Sequence, residues 1–274
     1  MFLLPKIRLT DPAFAADWQD GPVPQIRGEF VPMFWGPSKQ SQWRARVAEM
    51  KKHKPQHLMA FNEPDVQGQA NMDPNYAASV YMKEIYPWSQ KGVSLGSPAV
   101  VWDLDWMDTF LNAVQQKGGH IDFMCLHWYV ICVGSFPHSM LRYEGYRYGG
   151  WDELARFKQF IQTAHSRFGK NIWITEVGIT SASHPSQSQV KSFMVNAFNW
   201  LDTQPYVERA AWFGKSTTIH VSKDVVLTSC GFPGAWESNH PPDSYSSKFN
   251  ALLKPGGALN NMGNWSVIPS LQLG

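Results

Sequence analysis

The chain has 274 residues and a formal net charge of +2, which suits one α/β barrel of about 250 residues and excludes a strongly basic nucleic-acid or membrane surface. Charged residues make up 17% of the sequence and aromatics 14%, including 13 Trp. That balance fits a neutral, polar ligand held against ring faces better than an ionic one, although most large aromatics serve as core.

In chain order, the first 29 residues offer only Ile7-Arg8-Leu9 and Ala13-Phe14-Ala15-Ala16-Asp17-Trp18 as short strand-like runs. Phe30-Val31-Pro32-Met33-Phe34-Trp35 reads as a strand ending at Gly36, followed by a helix over 42–52. His57-Leu58-Met59-Ala60-Phe61 ends in Asn62-Glu63-Pro64-Asp65. Asp73 then caps a helix with Pro74 at its first position, where a missing N–H costs nothing. A strand over 93–100 and a helix over 105–116 follow. Ile121-Asp122-Phe123-Met124-Cys125-Leu126 ends in His127-Trp128-Tyr129, and the next helix spans 151–167, closed by Gly169. Asn171-Ile172-Trp173-Ile174-Thr175 ends in Glu176, a helix covers 186–201, and Val207–Ala211 ends in Trp212-Phe213-Gly214. Residues 215–248 read as a long loop holding Cys230 and Trp236, with a short strand over 225–228. Segments 250–253 and 259–265 are expected to return over the barrel.

Strands alternating with helices point to a mainly parallel sheet. A doubly wound sheet would place a Gly-rich phosphate turn after its first strand, and no Gly-x-Gly-x-x-Gly is present. The polar bursts sit instead at the carboxyl ends of several strands, where barrel active sites are assembled. The expected architecture is a (β/α)8 TIM-type barrel, abbreviated at its N-terminal strands, forming one catalytic domain over residues 1–274. The three cysteines, Cys125, Cys132 and Cys230, permit one disulfide or none and form no Cys-x-x-Cys pair. No apolar run reaches the roughly 18 residues of a membrane span. The apolar start at Met1 breaks before the roughly 7–15 residues of a secretory core, so no signal peptide is visible. Asn264-Trp265-Ser266 is a possible glycosylation sequon.

Glu63 and Glu176 each end an apolar strand, where burying a carboxylate is costly without a partner. Each could pair with an arginine or cap a loop. Three strand–helix units apart around a barrel mouth, however, they would face one another. Glycoside hydrolysis needs such a pair, one to protonate the leaving oxygen and one to attack the anomeric carbon. Two rivals fit less well. Gly92-Val93-Ser94-Leu95-Gly96 matches Gly-x-Ser-x-Gly, but Ser94 opens a strand, whereas a nucleophile elbow lies between a strand and the helix after it. His53 and His57 have metal-ligand spacing, but Pro55 between them would disrupt the helix that spacing requires.

Phe61-Asn62-Glu63-Pro64-Asp65, Leu95-Gly96-Ser97-Pro98-Ala99, Ile121-Asp122-Phe123 with His127-Trp128-Tyr129, Ile172-Trp173-Ile174-Thr175-Glu176, and Val207 to Gly214 occur in this order. Together with Phe30 to Gly36, the set resembles glycoside hydrolase family 128, fungal-type β-1,3-glucanases on a clan A barrel. The resemblance implies Glu63 as general acid/base at the end of the fourth strand and Glu176 as nucleophile at the end of the seventh. It implies Asn62 as the amide that binds the sugar 2-hydroxyl and Tyr129 as a hydrogen-bond donor to the nucleophile. Trp35, Trp128 and Trp212 are candidate sugar platforms, and His127 is expected to hold Tyr129 or a loop carbonyl. The chain departs from the family at its start, where only Asp17-Trp18 stands in for an aromatic-Asn-Trp signature.

The expectation is a retaining glycosidase acting on β-1,3-glucan, with no metal or cofactor, no nucleic-acid or membrane partner, and a monomeric state. The resemblance implies an extracellular or cell-wall location. The alternative is a glucan-binding or cell-wall protein with the same groove and little turnover.

Overall fold

A computed structural model describes residues 14–15, 29–130, 153–180, 185–213, 220–221 and 225–226. In chain order the strands are β1 (Phe14–Ala15), β2 (Glu29–Phe30), β3 (His57–Leu58), β4 (Ser94–Leu95), β5 (Phe123–Val130), β6 (Asn171–Ile179), β7 (Val207–Trp212), β8 (His220–Val221) and β9 (Val225–Val226). The helices are α1 (Gln40–Met50), α2 (Pro74–Glu84), α3 (Leu104–Gln116), α4 (Glu153–Phe168) and α5 (Gln187–Leu201). β1 pairs with β2, β3 with β4, and β5, β6, β7 and β9 pair in turn, all parallel. Parallel bridges Met33–Met59, Gly96–Phe123 and Val100–Leu126 join these groups into one run from β1 to β9. β8 is antiparallel on β9. The expected barrel of parallel strands is the fold observed. Cys132, Cys230, Trp18, Trp236, the sequon at Asn264 and segments 250–253 and 259–265 lie outside the described residues.

Local chemistry sets the helix starts. Asp73 accepts from the N–H groups of Asn75 and Tyr76 ahead of α2, with Pro74 at the first position. Asp103 does the same for α3 through Asp105 and Trp106. Ser186 and Gln189 form a reciprocal capping box at α5. The helices bury one stripe each, as in Leu104, Met107, Phe110 and Val114 of α3 and Val190, Phe193, Ala197 and Leu201 of α5, which pack on the outer face of the strands.

The strands sort their side chains by parity. Val31, Met59, Ala99, Phe123, Cys125, Trp173 and Ala211, from six successive strand segments, form one separate buried cluster inside the sheet. Their neighbours Met124, Leu126, Ile172, Ile174, Ala210 and Trp212 belong to the layer under the helices. A charged network closes the floor of this interior. Glu29 Oε2 accepts from Arg209 Nη2 at 2.9 Å, and Glu29 Oε1 lies 2.7 Å from His57 Nδ1. Arg209 also lies 4.0 Å from the Trp173 ring centre, and Trp173 stacks on Phe123. Because β2 and β7 stand far apart in strand order yet touch through Glu29 and Arg209, the sheet curls round on itself. Burial pushes the Glu29 carboxyl up, but the bonds and charges of His57 and Arg209 outweigh it and hold it below the usual carboxylate range.

Candidate active site

The site is built where β3, β5 and β6 end. Beyond β3, the chain runs to Asn62, which bridges to Ala99, and then turns sharply. Glu63 has φ = 43°, a left-handed backbone that costs a residue with a side chain roughly 1–2 kcal/mol. The turn is held by Glu63 N–H donating to Ala99 O at 2.9 Å and by Val66 N–H donating to Glu63 O at 3.1 Å. The conformation lifts Glu63 out of strand geometry, leaving it only 7% exposed.

On β5, simple alternation places Phe123, Cys125, His127 and Tyr129 on one face and Met124, Leu126, Trp128 and Val130 on the other. The first set starts in the interior cluster and the second lies under the helices. His127 and Tyr129 therefore face the barrel mouth. On β6, alternation from inward-facing Trp173 would send Glu176 outward. The register against β5 jumps here, Leu126 pairing with Ile174 but His127 with Glu176. One extra residue thus sits in β6, and the bulge turns Glu176 inward opposite His127. Val177 resumes the outward parity in the layer under the helices.

The result is a compact buried set. His127 is fully buried and Glu176 is 4% exposed. His127 Nδ1 lies 2.9 Å from Glu63 Oε1 and 3.4 Å from Glu176 Oε2. Tyr129 O–H donates to Glu176 Oε2. One oxygen of each carboxylate and one His127 ring nitrogen all lie within 4.8 Å of one another. Burial alone would push the His127 imidazole down. The Glu176 charge, the bond and charge of Glu63, and the Asp65 charge outweigh it and raise its pKa above the ordinary value. This spacing is close to what a metal ion needs, but Nδ1 is already in hydrogen-bond contact with Glu63. The donor set reads as two carboxylates sharing an imidazole.

The remaining sequence candidates separate. Asn62 is 4% exposed, and its Nδ2 donates to Gln69 Oε1 at 3.1 Å. Trp35 continues the inward parity of Val31 and Met33, is half-buried, and its carbonyl accepts from Asn62 N–H at 2.9 Å. Trp128 and Trp212 do not join the site. Trp128 lies against Phe157 and Phe160 of α4 at 5.8 and 5.3 Å. Trp212 is fully buried against Phe193 and Phe198 of α5. Both occupy outward parity positions, so neither ring offers a platform to a ligand in the mouth. His127 corrects a third expectation, since it bonds the carboxylate of Glu63 rather than Tyr129 or a loop carbonyl. Sequence reasoning gave no role to Gln69, Asp65 or the bulge at Glu176. Of these, only Asp65 stood in a motif that had been singled out.

A parallel-strand barrel with Glu63, His127 and Glu176 buried together at its carboxyl-end mouth is the setting of a barrel glycosidase. The sequence model of the family described as glycosyl hydrolase catalytic core matches residues 11–231. The chain belongs to that family. Alkali-sensitive linkage protein 1 of Schizosaccharomyces pombe is 28% identical over 214 residues, which are 75% of this chain. The chain spans about 31% of that relative's length. Among solved structures, a mutant of the family 128 (subgroup I) endo-β-1,3-glucanase from Amycolatopsis mediterranei in complex with laminaripentaose is 25% identical. It matches with a TM-score of 0.64, covering 93% of this chain and 89% of that one. A family 128 (subgroup III) curdlan-specific exo-β-1,3-glucanase from Blastomyces gilchristii in complex with glucose is 24% identical, with a TM-score of 0.63 and coverage of 93% and 88%.

Proposed function

We propose that this chain is a retaining β-1,3-glucanase with Glu63 as general acid/base and Glu176 as nucleophile. The observation that carries the reading is the close approach of the two carboxylates, with oxygens within 4.8 Å of each other. Retaining glycosidases hold their carboxyls about 5–5.5 Å apart, whereas inverting enzymes leave about 6.5–9.5 Å for a water. The bond from Tyr129 to Glu176 Oε2 orients the carboxylate that attacks the anomeric carbon. Glu63 protonates the departing glycosidic oxygen, and the Glu176 ester then forms. In the second half, Glu63 takes a proton from water, which attacks the same carbon and frees Glu176. His127 Nδ1 lies against Glu63 Oε1, so a proton on Nδ1 stabilises the carboxylate that appears when Glu63 gives up its own proton. Asn62 meets the sugar 2-hydroxyl, since its amide can donate and accept together. Trp35 is the ring proposed to face the sugar.

Laminari-oligosaccharide as ligand is supported by the complexes of the structural relatives. An extracellular or cell-wall setting is the one that such a substrate suggests. No helix among the described residues is long and apolar enough to cross a membrane. The test is hydrolysis of laminari-oligosaccharides followed by proton NMR of the released anomer, beside a Glu63→Gln control. Early β-anomer that disappears in the control is the expected result. A folded chain that binds these sugars and releases nothing would replace the enzyme reading with a glucan-binding one.

A further inference from the structure

Two residues beyond Glu63, the half-buried Asp65 turns back to the start of α3. Its Oδ1 and Oδ2 accept from Val101 N–H at 3.2 and 3.0 Å, and Oδ2 also accepts from Trp102 N–H at 3.1 Å and Asp103 N–H at 3.2 Å. Three successive amides thus converge on one carboxylate. They belong to the loop that follows Val100, whose backbone bridges β5 at Leu126, one residue before His127. Ala99, just before Val100, accepts from Glu63 N–H through its carbonyl. On the other side, the turn after Asp65 folds back on the acid/base strand, with Met72 N–H donating to Pro64 O at 2.9 Å and Ala70 N–H to Asn62 O at 3.2 Å. Glu63, in its left-handed backbone, is therefore gripped between Ala99 before it and the Asp65 clamp after it.

We infer that Asp65 is a positioning residue for the acid/base, and that its clamp on the amides of residues 101–103 holds Glu63 in the strained turn that aims its carboxyl at His127 and the glycosidic oxygen. The inference rests on the reading of Glu63 as acid/base. A neutral amide in place of the carboxylate loses one acceptor and turns an N–H toward backbone donors. The turn can then relax toward ordinary strand geometry and carry Glu63 away from the leaving oxygen. Burial pushes the Asp65 carboxyl up to about 6, although the backbone N–H groups of Trp102, Asp103, Val101 and its own residue pull it down. On the site side the Asp65 charge is felt by His127, and Asp103 on the other side is engaged in capping α3.

The signature of a misplaced acid is dependence on the leaving group. Asp65→Asn and the smaller Asp65→Ser are compared with wild type on laminari-oligosaccharides, whose sugar leaving group needs a proton. They are compared also on a dinitrophenyl laminari-oligosaccharide, whose leaving group does not. The expected result is a fall in kcat/KM of about 10- to 100-fold on the first substrate, carried by kcat, and less than about threefold on the second. Equal losses on both substrates, no loss on either, or failure of both variants to fold would overturn the inference and leave Asp65 as a structural clamp. Glu63→Gln serves as the reference. If it too loses both activities equally, the acid/base reading itself fails, whereas a leaving-group-dependent loss in Glu63→Gln alone condemns only the role of Asp65.

Discussion

Tyr129→Phe isolates one bond of the site. The ring of Tyr129 meets Phe213 edge-on, with centroids 5.2 Å apart and planes at 81°, and phenylalanine keeps that contact. What is lost is the hydroxyl that donates to Glu176 Oε2. A hydrogen bond to a charged group is worth about 1.5–3 kcal/mol, and every 1.36 kcal/mol on a barrier is tenfold in rate. If the bond orients the attacking carboxylate, its removal lowers kcat/KM by roughly 10- to 150-fold. Binding of the ground-state sugar changes little, because the hydroxyl is spent on the nucleophile rather than on the ligand. Initial rates on a laminari-oligosaccharide series give kcat and KM, and a thermal melt checks the fold. A loss below about threefold, or one carried wholly by KM, would refute the assignment of Tyr129 as the group that orients Glu176.

Three further outcomes follow from the same geometry. Gly96→Ala would place a Cβ 2.6 Å from Phe123 Cε2 and 2.9 Å from Cys125 Sγ, and Phe123 is pinned against Trp173 at 3.9 Å. The overpacking is expected to cost about 1–3 kcal/mol, read as a fall in Tm of roughly 2–10 °C. Trp128→Leu should destabilise the chain by about 1–3 kcal/mol through the lost contacts with α4, while KM for laminari-oligosaccharides stays within about twofold; a large rise in KM would return Trp128 to the sugar site. The raised pKa of His127 sets a sign for stability against pH. An imidazolium favoured in the folded state contributes fully below the unfolded value of about 6.5, and its contribution is lost as pH rises through the higher folded value. The Tm difference between wild type and His127→Asn should therefore shrink as pH is raised through that range, and a difference that grows would contradict the charge assignment.

Much of the site was written in local sequence. The apolar runs ending in Asn62-Glu63 and in Glu176 marked both carboxylates, and the cap residues Asp73 and Ser186 marked two helix starts. Alternation along β5 also contained the answer for Trp128, since Phe123, Cys125, His127 and Tyr129 share a parity that excludes it. The platform assignment weighed residue type over face and went wrong there and at Trp212. The bulge at Glu176 was not legible, because one extra residue in a strand leaves no trace in composition. Taken at face value, the period of two would have turned Glu176 away from the site. The floor network of Glu29, His57 and Arg209 and the clamp of Asp65 were hidden for another reason. Each joins residues far apart in sequence, and only the closed curvature of the sheet and the packing of successive strand-to-helix loops bring them together.

The most direct test of the account is to trap the covalent intermediate. A deoxyfluoro laminaribiosyl fluoride slows both steps but departs readily, so the ester accumulates, and peptide mass spectrometry then locates the label. The account predicts one label per chain, on the peptide holding Glu176, absent from Glu176→Gln and present, with faster formation than turnover, in wild type. A label on Glu63, or inactivation with no label at all, would contradict the assignment of the two carboxylates.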